Sequence, residues 1–135
     1  MRGIRWLVAA VSAVMIVVAL GPPASALSLG EQAQLQAAMQ QYVDKQLVDG
    51  VYLHLDRDSG EVRKLHPVTA HPMIMQMGAH YVLCFDFKDA AGASHPIDFY
   101  MTRKERSYVV FHAAVDDRAL LKRLMRDGRI TRLER

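Results

Sequence analysis

From Tyr81 to Val115 apolar residues fall at every second position, in runs joined only by short turns. Tyr81, Leu83, Phe85 and Phe87 alternate with His80, Cys84, Asp86 and Lys88. Ile97, Phe99 and Met101 alternate with Asp98, Tyr100 and Thr102, and Val109, Phe111, Ala113 and Val115 form a third stripe. A period of two marks a strand with one buried face. Asp89-Ala90-Ala91-Gly92 reads as a type I turn closed by a left-handed glycine, and Arg103 to Ser107 as a charged turn. Strands joined this closely pair antiparallel, because a parallel partner needs a long crossover.

The flanks complete an α+β pattern. Ser28-Leu29-Gly30-Glu31 is a capping box that opens a helix running to about Val48. Leu35, Ala38, Met39, Tyr42, Val43 and Leu47 mark its buried stripe, and Asp49-Gly50 ends it. Val51, Leu53 and Leu55 then alternate with Tyr52, His54 and Asp56, a turn follows at Asp58-Ser59-Gly60, and Glu61 to Leu65 returns. His66-Pro67 and His71-Pro72 bracket an irregular crossing, since proline resists a central ladder. Met73 to Met77 is extended, with a bulge or bend at Gly78. After the three stripes, Asp116 or Asp117 caps a short helix carrying Leu120, Leu121, Leu124 and Met125, ended by Gly128. The expected fold is a long N-terminal helix on a four- or five-stranded antiparallel meander, with a short C-terminal helix.

The first 26 residues are expected to leave as a secretory signal. Arg2 and Arg5 precede an apolar run of about 15 residues, Trp6 to Leu20, too short for an ordinary membrane span. Gly21-Pro22-Pro23 stops any helix, and Ala24-Ser25-Ala26 supplies small residues for cleavage after Ala26. An uncleaved anchor is the alternative. Residues 27–135 then form a single domain in the periplasm or outside the cell, with no mature transmembrane segment. The lone cysteine, Cys84, permits no internal disulfide, so stability must come from packing. The signal removes two of 17 basic residues and none of 14 acidic ones, leaving 15 against 14, a net +1. That balance gives no reason to expect nucleic acid. Arg118, Lys122, Arg123, Arg126, Arg129, Arg132 and Arg135 crowd the C-terminus, as a solvated helix face or toward an anionic partner.

The helix-then-meander order resembles the cystatin-like and NTF2-like arrangements. Tyr81-x-x-Cys84-x-Asp86-Phe87-x-Asp89-x-x-Gly92, followed by Asp98-Phe99-Tyr100, resembles small exported bacterial proteins of unknown function. The resemblance covers about a fifth of the mature chain. It implies an exported, compact domain and no particular activity.

Two constellations carry chemistry. Core-to-core register pairs Phe85 with Ile97, Leu83 with Phe99 and Tyr81 with Met101, which sets Cys84 opposite Asp98. The next hairpin, with Phe99 opposite Phe111, sets Asp98 opposite His112. Cys84, Asp98 and His112 then form one row across three strands, away from the long helix. Tyr52, His54, Asp86 and Tyr100 share that parity. Cys84 and His112 would stand about 10 Å apart, too far for a thiolate–imidazolium pair. The row is a ligand-holding site or simply a solvated sheet face. The second constellation is His71, Met73, Met75 and Met77, which project to one side of a strand and offer soft ligands to Cu(I), or else fill the core. No histidine spacing suits zinc, and no P-loop, dinucleotide fingerprint or G-x-S-x-G is present.

The sequence thus points to a non-enzymatic exported binding or accessory domain. It would hold a protein partner or small ligand on the outer sheet face or a sheet edge, through Cys84, Asp98, His112, His54 and Tyr100. No catalytic residue and no cofactor is assigned. A periplasmic copper binder using His71, Met73, Met75 and Met77 is the runner-up, and a small NTF2-like enzyme using Asp98 and His112 is third.

Overall fold

The structure, a computed structural model, describes residues 27–133. The signal and its cleavage after Ala26 lie outside the described residues. Helix α1 (Leu29–Gln46) opens on the expected capping box: the Ser28 hydroxyl accepts from the Glu31 amide at 3.1 Å, and the Glu31 carboxylate accepts from the Ser28 amide at 2.9 Å. Its buried residues are Leu35, Met39 and Val43. The helix stops two residues short of Val48. Asp49 and Gly50 both adopt left-handed backbone, at φ 50° and 80°, which makes a tight hairpin turn. Strand β1 (Leu47–Val48) therefore pairs with the start of β2 (Val51–Leu55).

The remaining elements are β3 (Val62–Met77), β4 (His80–Lys88), β5 (Ser94–Lys104), β6 (Ser107–Val115), α2 (Arg118–Arg126) and β7 (Thr131–Arg132). The sheet runs β1-β2-β3-β4-β5-β6, all antiparallel, and β7 pairs with the far end of β3. The fold is α+β as expected, but among the described residues its sheet has seven strands rather than four or five. Two of them, β1 and β7, are two residues long and leave no periodicity to read. The His-Pro crossing is strand throughout: β3 absorbs Pro67 and Pro72 through irregularities between Pro67 and Thr69 and between Ala70 and Ile74. Gly78 lies in a two-residue hairpin turn, because Met77 pairs with His80.

The sheet lies between two cores. On one face α1 covers Leu65, Leu83, Phe87, Ile97, Phe99 and Met101. On the other, α2 places Leu121 and Leu124 over Met75, Val82, Cys84, Tyr100 and Ala114, with Ile130 beside them. Around Cys84 and Tyr100 the outer face is therefore not the solvated surface that polar alternation suggested. Asp117 caps α2, accepting from the Leu120 amide at 3.2 Å.

Two stripes differ from expectation. On β2 the face is inverted: Tyr52 is buried against α1, while Leu53 and Leu55 are exposed on the outer side. Tyr52 fills the core better because its ring packs 5.4 Å from Phe87. On β6, Tyr108 is buried and Val109 and Phe111 are exposed. A bulge at Phe111, between the pairs Tyr100–His112 and Met101–Val110, flips the strand's parity. Upstream of it Tyr108 and Val110 face α1; downstream Ala113 and Val115 do. Tyr108 earns the inner position through an edge contact with the Tyr81 ring at 5.8 Å and a hydrogen bond from Arg103 at 2.7 Å.

Candidate functional site

The hairpin β4–β5 has the expected register, Phe85 with Ile97, Leu83 with Phe99, Tyr81 with Met101 and Cys84 with Asp98. Cys84 and Asp98 therefore share the outer face, beneath the root of α2. The thiol of Cys84 donates to Asp98 Oδ1 at 2.9 Å. Arg118, the first residue of α2, lies 3.5 Å from the same oxygen and donates to Cys84 Sγ at 3.8 Å. Asp98 is 1% exposed. Burial raises its carboxyl above the ordinary 3.8, against the lowering effects of the Cys84 hydrogen bond and the Arg118 charge. Burial, with the adjacent Asp98, pushes the Cys84 thiol up to about 12. That thiol stays protonated near neutrality, so it serves as a weak donor and not as a nucleophile.

The third member of the row is displaced. The bulge at Phe111 leaves Asp98 opposite Ala114 and His112 opposite Tyr100. His112 is exposed, with its ring 5.5 Å from that of Tyr100. Tyr100 is buried under α2, and its hydroxyl has no hydrogen-bond partner among the described residues. Burial, and then the Asp98 charge, pushes that phenol up to about 12. Asp86 does lie on this face and meets His71 Nε2 at 2.7 Å. Tyr52 and His54 do not, because β2 is inverted.

The methionine stripe is broken by the irregularity between Ala70 and Ile74. Met73 is exposed, and His71 is held by Asp86. Met75 is buried and Met77 half-buried, both in the core under α2. The tight turn at Gly78 sets Met75 opposite Val82, so it faces α2 rather than α1. Among the described residues no group of three or more His, Cys, Asp or Glu is placed to hold a metal ion.

A second polar cluster was not legible in the sequence. At the end of the sheet, His95 Nε2 meets Asp89 Oδ2 at 2.8 Å, and His95 Nδ1 meets Asp116 Oδ2 at 2.7 Å. The ring is 12% exposed. Asp116 adopts left-handed backbone at φ 54° where β6 turns into α2. It also faces Arg63 at 3.9 Å, and Arg63 pairs with Asp56 in the β2–β3 turn. Hydrogen bonds that the ring donates to Asp89, then to Asp116, hold the imidazole above its ordinary 6.5. A cleft of about 610 Å³ opens beside this chain of charges, lined by His54, Asp56, Arg57, Asp58, Arg63, Val115, Asp116 and Asp117. His54 belongs here and not with Cys84. The one available signal was the placement of His95 just past the Asp89–Gly92 turn. Asp116, 21 residues away, gives none.

Comparison with known protein families, curated proteins and solved structures finds no match for this chain. No helix among the described residues is long and apolar enough to cross a membrane.

Proposed function

We propose that the chain is an exported, non-enzymatic binding domain that docks a protein partner on the bare half of its outer sheet face. The observation that carries this reading is the apolar surface α2 leaves uncovered. Val48, Leu53, Leu55 and Val62 are all exposed there, Leu55 at 58% and Val62 at 60%. Contiguous exposed aliphatic side chains on a sheet mark an interaction surface more often than a solvated one. Register places Lys64 opposite Leu53, and His66 opposite Lys88, on this same face, and all three polar residues are exposed. A partner with an apolar centre and an acidic rim fits that arrangement.

A photo-crosslinking side chain at Leu55 tests this in the exported fraction of the producing cell. A single protein adduct is expected, absent when the crosslinker replaces Lys122 and lost when Leu53→Asp is added. No adduct from Leu55, or one indifferent to Leu53→Asp, would overturn the reading.

A further inference from the structure

A neutral imidazole carries one N–H, so it can donate to one carboxylate but not to two. His95 has a carboxylate oxygen within 2.8 Å of each ring nitrogen. The geometry is satisfied in full only by the imidazolium, with both N–H groups donating. Loss of a proton leaves a nitrogen lone pair pointing at a carboxylate, which replaces a charge-assisted bond by repulsion.

The two carboxylates belong to different parts of the fold. Asp89 sits in the β4–β5 turn, where its other oxygen accepts from the Ala93 amide at 2.9 Å. Asp116 is the residue from which α2 departs, one before the Asp117 cap. We propose that Asp89–His95–Asp116 is a proton-gated latch that seats the root of α2, and that deprotonation of His95 loosens α2 from the outer sheet face over Cys84, Asp98 and Tyr100.

The other charged groups around the latch set its sense. From the β2–β3 hairpin, Arg63 faces Asp116 and is itself paired with Asp56; Glu61 and Lys64 line the surface beside Asp89, and His54, Arg57 and Asp58 line the cleft beside Asp116. Asp117 follows Asp116 in the chain. Among the described residues Arg63 bridges toward Asp116, at 3.9 Å and half-exposed, so it replaces little of the attraction lost when the histidine is neutral. What α2 covers pulls both ways, since Arg118 at its first position lies 3.5 Å from Asp98 and holds the helix to the sheet. Against that, the Tyr100 hydroxyl has no hydrogen-bond partner among the described residues, and Asp98 is a carboxyl held from water. Both gain hydrogen bonds from solvent when α2 lifts.

The sign follows from the raised imidazole. The latch is fully formed below the ordinary histidine value of 6.5 and is lost as pH rises through the higher value His95 holds in the fold. Amide hydrogen exchange of Leu121 and Leu124 tests this in the purified protein, expressed as protection factors so that base catalysis is divided out. Protection of these amides is expected to fall roughly tenfold across the His95 titration, followed in the same sample by imidazole NMR shifts. In His95→Gln protection should be low and flat with pH, while amides of β4 stay protected as in the parent. Protection of α2 that is flat through the His95 titration, or a fall that survives in His95→Gln, would overturn the latch. If His95→Gln does not fold, coincidence of the two midpoints in the parent protein decides the matter alone.

Discussion

The Cys84 thiol and the Asp98 carboxylate stand directly opposite one another on adjacent strands and share a hydrogen bond of 2.9 Å, sealed from water by α2. The pair joins a weak donor to an acceptor that burial pushes toward its neutral form. It is a polar interior under a short helix, where an apolar filler would have packed without electrostatic cost.

Asp98→Asn tests that cost through pH. A carboxyl raised above its ordinary 3.8 contributes stability fully present below 3.8, and loses it as pH rises through its value in the fold. The amide keeps an oxygen to accept from Cys84 and carries no charge to desolvate. Relative to the parent, Asp98→Asn should therefore gain stability as pH rises from about 4 to 7. Urea denaturation at both ends of that range measures the difference. A parent that gains on the variant instead would show that Arg118 outweighs burial.

Tyr100→Phe removes a buried hydroxyl that has no partner among the described residues. An unsatisfied buried polar group costs about 1–3 kcal/mol, so the variant should be as stable as the parent or more so by about 1 kcal/mol. A loss of more than about 1 kcal/mol on thermal or chemical denaturation would mean that the hydroxyl holds a partner in solution.

Phe99→Ala should destabilise the fold by roughly 3–5 kcal/mol. Phe99 is fully buried on the α1 face, opposite Leu83 and Ala113, with the Tyr42 ring packed edge-on at 5.6 Å. Ala113 is too small to close over the cavity. Phe111→Ala, at the exposed bulge, should cost less than about 1 kcal/mol. Equal costs by chemical denaturation would contradict the parity flip on β6.

What the sequence determined by itself is local or strictly periodic. The Ser28–Glu31 capping box, the Asp89–Gly92 turn, a cap for α2 at Asp116 or Asp117 and the β4–β5 register all depend on contacts within a few residues or on an alternation fixed at both ends of one short hairpin. The tertiary structure decided which face β2 and the first part of β6 used. Tyr52 displaced Leu53 from the core because an aromatic partner, Phe87, waited there. The bulge at Phe111 moved His112 from Asp98 to Tyr100, and its shift of phase was hidden because Tyr108, Val109, Val110 and Phe111 are all apolar. The cover of α2 over Cys84 and the clasp of His95 between Asp89 and Asp116 belong to the same class. They join groups distant along the chain, and only the folded path of the backbone brings such groups together.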